Sequence, residues 1–229
     1  MSSQRSEYRR ISSWFSVEKA HAAQLRTSKH VIRRDILPEK IDYIAGVDVA
    51  YTARFSIGAV AVLDYQSLSL IESETAKVTT KFPYIPTLLS FREIPPSLAA
   101  IEKLRFQPDV FLVDGQGIMH PYRLGFASHL GIILGKPSIG TAKNPLTGQV
   151  RQFGREGWAP IMDAGDTVGV ALLTKNNAKP LYVSIGHMVS LEKAIGIVKH
   201  CTLSNRIPQP ILHAHALATQ EKRKAKNSS

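Results

Sequence analysis

The sequence predicts an α/β protein with a mixed central sheet, antiparallel in its first part and parallel later, with helices around it. Three observations carry this. Residues 41–50, 54–63 and 68–80 are strand-like segments joined by short links, which is the pattern of an antiparallel meander. From about residue 88 helical stretches alternate with short apolar runs, which suggests parallel strands added to the same sheet. Hydrophobic residues make up 44% of the 229, enough apolar surface to offset the entropy of ordering a chain. At ~150 residues per domain the length lies between one and two domains. No repeat or composition break divides the chain, so a single domain over 1–229 is expected, with flexible basic tails at about 1–10 and 221–229.

The elements follow in order. Ser16 opens a stretch to about Ile32 whose alanines and Leu25 permit a helix with a thin apolar stripe. Pro38 leads into IDYIAGVDVA (41–50), and two further strands follow at 54–63 and 68–80. Pro83 and Pro86 break the pattern. Two short helices are expected, 88–93 and 97–104, the second starting after Pro95 and Pro96. DVFLVD (109–114) reads as a buried strand, 124–134 as a helix and 137–141 as a strand. Residues 144–165 hold six glycines and prolines and read as loop or irregular hairpin. Strands at 167–173 and 181–185 precede helices at 191–203 and 211–220.

Composition narrows the function. One cysteine, Cys201, cannot form an intramolecular disulfide or a four-thiolate metal site. No apolar run is long enough to span a bilayer, and no apolar segment follows MSSQRSEYRR as in a secretory leader. A reducing, cytoplasmic location is expected. The net charge of +11 favours an anionic partner. Charge alone does not specify nucleic acid, and part of it sits in the tails. Residues 1–10 have three Arg against one Glu, and 221–229 have four Lys or Arg against one Glu. A membrane surface is disfavoured, since no long basic amphipathic helix with an aromatic face is present.

The chemistry-bearing residues stand out by context. Asp48 lies in the apolar strand IAGVDVA and Asp114 ends FLVD. A charge in such surroundings must be paired, hydrogen-bonded or coordinated. Two strand-end aspartates can converge on a divalent ion, with Glu93 adding a third oxygen from a helix. The plainer reading has equal weight: Asp114 starts a turn before Gly115 and Asp48 caps another. His120 follows DGQG, and His215 lies in the last helix; either can orient or protonate at a metal-bound water. His129, His187, His200 and His213 read as packing or surface residues. Lys143, in GTAKN, is suited to a phosphate. No GxxxxGK[ST] or GxGxxG motif is present, against a nucleotide-triphosphate or dinucleotide loop. Pro83-Tyr84-Ile85-Pro86 sets an aromatic and an aliphatic side chain on a stiff backbone. Such a tip can wedge into a base stack, or be an ordinary hydrophobic turn.

Taken together, IAGVDVA, TTKFPYIPTLLSFRE, PDVFLVDGQGIMHPYRLGFASHLG, PSIGTAK and GHMVS resemble the endonuclease V family over roughly residues 37–220. The resemblance implies a ribonuclease H-like fold and a monomer. It places Asp48, Glu93, Asp114 and His215 in an acidic, metal-associated cluster. His120 and Lys143 match positions near the cleaved phosphate. Tyr84, within Pro83 to Pro86, matches a strand-separating wedge, and Leu89, Gly115 and Gly117 match the lining of a pocket for a flipped base. The implied substrate is DNA containing deoxyinosine, cut at the second phosphodiester 3′ to the lesion to leave 3′-hydroxyl and 5′-phosphate ends. The implied cofactor is Mg²⁺, with Mn²⁺ as a substitute. Inosine-containing RNA or branched or mismatched nucleic acid is an alternative substrate, and a non-catalytic nucleic-acid binding module is an alternative role. The chain departs from the family pattern at Thr87, where glycine is usual, and at Gln116, Asn144 and Met188.

Overall fold

A computed structural model describes residues 16–175 and 178–227. The expected N-terminal arm, residues 1–10, lies outside the described residues. The first element is helix α1, Val17–Ser28, whose start is fixed by Ser16: its hydroxyl accepts a hydrogen bond from the Lys19 N–H at 3.1 Å.

Among the described residues the sheet has nine strands. β1 (Tyr43–Tyr51), β2 (Phe55–Asp64) and β3 (Leu70–Thr79) form the expected antiparallel meander. β4 (Val110–Asp114) pairs in parallel with β1, and β5 (Ser138–Ala142) pairs in parallel with β4. The order is β3-β2-β1-β4-β5-β9-β8-β7-β6. The first five strands give the ribonuclease H-like sheet that the resemblance implies. The other four are β6 (Gln149–Val150), β7 (Trp158–Asp163), β8 (Asp166–Leu172) and β9 (Leu181–His187). They pair antiparallel throughout, a second meander attached through β9 to β5. The glycine-rich stretch therefore contains the hairpin rather than the loop: Ala164 and Gly165, both at positive φ, form the two-residue turn between β7 and β8.

Side chains alternate between the two faces of the sheet. Ile44, Leu63, Leu112 and Ile139 face helices α4 (Leu191–His200) and α5 (Gln209–Asn227). Ala45, Val47, Val60 and Phe111 face α2 (Leu89–Ile101) and α3 (Phe126–Leu134).

Two helices differ from expectation. The pair of short helices around Pro95 and Pro96 is one helix, α2, with both prolines inside. Local preference opposes this, because each proline removes a helix hydrogen bond. Packing overrides it: Glu93, Ile94, Pro96, Ser97 and Ala100 are buried on the sheet. Gly58 of β2 lets the helix backbone rest there, since a Cβ at 58 would sit 2.1 Å from the Pro96 carbonyl oxygen. The second difference is α5, which does not stop at 220 but runs to Asn227. Residues 221–227 of the expected flexible tail are its last turns. Among the described residues no helix is long and apolar enough to cross a membrane.

Candidate active site

The parallel pairing of β1 and β4 sets Val47 opposite Val113. The next residues, Asp48 and Asp114, therefore stand side by side on the face covered by α5. Gly46 brings that helix close, because a Cβ there would lie 1.9 Å from the Pro210 carbonyl oxygen in the first turn of α5. His215, about one turn further along, then reaches Asp48: its Nδ1 lies 2.7 Å from Asp48 Oδ2. Asp48 Oδ1 accepts the Val49 N–H at 2.7 Å. Asp48 is only 9% exposed, whereas His215 is exposed.

Ligand atoms from Asp48, Asp114 and His215 all lie within 4.8 Å of one another, the spacing needed to hold one cation. Burial and the neighbouring Asp48 push the Asp114 carboxyl up to about 6, while Lys143 and His215 pull it back. Lys143 Nζ stands 3.8 Å from Asp114 Oδ2. These residues border an open cleft of about 440 Å³, together with Tyr51, Thr219, Lys222, Arg223 and Lys226.

Glu93 is not part of that three-residue group. It comes from α2 on the opposite face and is buried. Its Oε1 accepts the Tyr51 hydroxyl at 3.1 Å, and its Oε2 is buried with no partner. Desolvation pushes the carboxyl well above its ordinary value, and the charges of Asp48 and Asp114 add to this. A buried carboxyl oxygen without a partner, within the field of two other carboxylates, fits a nearby divalent cation, which would relieve the repulsion among all three.

Beside this cleft lies a second cavity of about 310 Å³, bounded by Tyr84, Pro86, Thr87, Leu89, Glu93, Gly115, Gln116 and His120 among others. Glu93 borders this cavity. Tyr84 projects from the loop, 59% exposed, but Ile85 is not at the tip. It is buried against Ala20 and Leu88, with Phe82 and Phe91 beside them, and anchors the loop instead. Pro83 and Pro86 flank the pair. Gly117 does not line the cavity: its N–H donates to Ser184 Oγ at 2.9 Å, and a Cβ there would meet the Ile185 carbonyl oxygen at 2.0 Å. The Gly115 N–H is likewise committed, to the Thr141 carbonyl. Gly115 and Gly117 allow close approach of backbone, but their amides are not free to read a base.

His120 is buried. Its Nε2 donates to the Thr87 carbonyl at 3.0 Å, and its Nδ1 accepts the Tyr122 N–H at 3.1 Å. Burial lowers it to about 4. It therefore holds the cavity wall as a neutral ring, fixed between the Thr87 carbonyl and the Tyr122 N–H. Thr87 has φ +71, which explains why glycine is usual there. The left-handed conformation costs a branched residue about 1–2 kcal/mol. Gln116 Nε2 donates to the Asn144 carbonyl at 2.8 Å, so two departing positions bridge the loops after β4 and β5. Met188 borders neither cavity. His129, His187 and His200 make packing hydrogen bonds to Ser90, Ile32 and Tyr65, as expected.

The sequence reading missed Tyr51, Thr219, Lys222, Arg223 and Lys226. A signal was present for the last four. They follow His215 at i+4, i+7, i+8 and i+11, one face of a helix continued past residue 220.

Fold and site together define a class: a mixed α/β sheet holding an acidic–histidine group able to bind a divalent cation, in a basic cleft beside a partly apolar cavity. Comparison with known proteins gives the family. The family model Endonuclease V matches residues 25–216. The Endonuclease V of Thermofilum pendens is 43% identical over 206 residues, covering 90% of this chain and 88% of that protein. The crystal structure of Endonuclease V from Streptomyces avermitilis superposes with a TM-score of 0.87 at 38% identity, covering 93% of this chain and 96% of that one. Endonuclease V of Ciona intestinalis, in complex with a 24-mer DNA containing an inosine followed by a ribo-adenosine, gives a TM-score of 0.79 at 29% identity, covering 91% and 98%. The chain belongs to the Endonuclease V family and is an endonuclease of that kind.

Proposed function

We propose that this endonuclease recognises deoxyinosine in DNA and, with Mg²⁺, hydrolyses the second phosphodiester 3′ to the lesion, leaving 3′-hydroxyl and 5′-phosphate ends. Mn²⁺ is expected to substitute, and the protein to act as a monomer. The observation that carries this reading is the juxtaposition of the Asp48–Asp114–His215 group with a separate cavity bounded by Tyr84 and Leu89. One site suits a phosphodiester, the other a base taken out of the stack.

Asp48 and Asp114, with Glu93 behind them, would hold the cation, which supplies charge stabilisation to the phosphoryl oxygens and a more acidic water. Asp48 keeps the His215 ring oriented through its 2.7 Å contact. His215, exposed to the cleft, is placed to hold the attacking water. Lys143 places its positive charge at the cleft beside Asp114. Tyr84 fills the gap left by the displaced base.

Two outcomes test the parts of this reading. Tyr84→Ala should weaken binding to an inosine duplex by roughly 5- to 150-fold, the loss of one stacking contact. Unchanged affinity in a fluorescence titration would argue against the wedge. Replacing Lys222, Arg223 and Lys226 together by Ala should lower the salt slope of duplex binding by about 2–3, since each lost phosphate contact removes about 0.9. An unchanged slope would place the nucleic acid elsewhere. The Ciona relative was crystallised with a ribonucleotide next to inosine. Cleavage of matched inosine DNA and inosine RNA side by side therefore decides the preferred sugar. Inosine-specific binding without metal-dependent nicking would favour the non-catalytic binding module instead.

A further inference from the structure

Thr87 is held from three sides. Its carbonyl accepts from Gln24 Nε2 at 2.8 Å and from His120 Nε2 at 3.0 Å. Its hydroxyl donates to the Pro86 carbonyl and meets His21 Nε2 at 2.8 Å. The proton positions follow from these contacts. A hydroxyl already donating must accept from His21, so His21 Nε2 carries the hydrogen. In the neutral ring Nδ1 is then an acceptor, and it receives the Tyr122 hydroxyl at 2.9 Å. The His21 and Tyr122 rings also stack, 4.1 Å between centroids. Each donor in the chain Tyr122–His21–Thr87–Pro86 has one acceptor. Gln24 is 1% exposed and also reaches the Leu124 carbonyl at 3.3 Å.

The three segments joined this way are α1, the loop carrying Tyr84, and the turn at 120–124. Two of them border the cavity beside the acidic cleft. α1 touches neither cavity: His21 and Gln24 act through Thr87. Both also lie before residue 25, where the family match begins.

We propose that His21, with Gln24 and Tyr122, is a positioning residue that holds Thr87 in its left-handed conformation and so sets the cavity wall and the approach of Tyr84. A branched residue at this position then has a purpose, because its hydroxyl is the link to α1. The inference rests on the cavity receiving the base, as proposed above.

The test is a double-mutant cycle with two readouts. The first uses free protein: hydrogen exchange at the Tyr84, Ile85, Thr87 and Leu88 amides. H21A should speed exchange there and leave β1 and β4 unchanged. The second is single-turnover nicking of an inosine duplex. H21A should raise the half-saturating enzyme concentration by about 5-fold, with the saturated rate within twofold. His21→Gln, which keeps an N–H near the Nε2 position, should restore most of the affinity. In the T87G background, where glycine tolerates φ +71 and no hydroxyl remains, H21A should change affinity by less than twofold. An equal loss in both backgrounds would overturn the proposal, because His21 would then act only by docking α1. Unchanged exchange in H21A and in Y122F would overturn it as well. If the wild type does not favour inosine over adenine duplexes, the base-pocket reading fails, and the exchange arm still decides whether His21 holds the loop.

Discussion

Asp48→Ala is expected to lower metal-dependent nicking of an inosine duplex by at least about 10³-fold, while binding stays measurable. The carboxylate sits between two fixed donors, the Val49 N–H and the His215 ring. Its charge also raises both the Asp114 and the Glu93 carboxyls. Removing it takes away one oxygen of the cation site and releases His215 from its orientation. Without metal it also relieves repulsion among buried carboxylates, so the melting temperature of the metal-free protein should hold or rise. Loss of rate together with retained fold separates this outcome from simple unfolding. Full nicking by the variant would remove Asp48 from the metal site.

The second large effect is expected at Gly46→Ala. The new methyl group would need the space of the Pro210 backbone, 1.9 Å away at its oxygen. Neither partner is a flexible side-chain end, so α5 must move off β1. Overpacking of this kind costs about 1–3 kcal/mol, a fall in melting temperature of roughly 2–12 °C for a chain of this size. The displaced helix carries His215 and the Lys222, Arg223 and Lys226 face, so nicking should fall by more than 10-fold even well below the new melting temperature. Differential scanning fluorimetry and an activity assay at 25 °C check both parts. An unchanged melting temperature with full activity would show that α5 does not need this contact.

The aspartates were legible because a carboxylate inside IAGVDVA or at the end of FLVD needs a partner, and strand pairing supplies one from far along the chain. The first three strands were legible because short links bound their apolar runs, and β4 and β5 because short apolar runs alternate there with helical stretches. Helix α2 was not, because the local signal of Pro95 and Pro96 opposes a helix and only burial against Gly58 sustains one. The basic face of α5 was hidden in EKRKAK, which by composition reads as a solvated tail and becomes part of the cleft only once the helix is extended. Ile85 was misplaced because a loop tip does not reveal which of two side chains turns inward; α1 decides it through Ala20. The roles of His120, Gly115 and Gly117 depend on which hydrogen bonds are already taken, and no spacing in the chain encodes that.

The central claim is metal-dependent cleavage directed by a deaminated base. The most direct measurement is nicking of matched duplexes containing inosine or adenine at one position, with and without Mg²⁺, mapped to the nucleotide. The expected result is a single nick at the second phosphodiester 3′ to inosine, only with the metal present. Equal nicking of the adenine duplex, or nicking unaffected by a chelator, would contradict it.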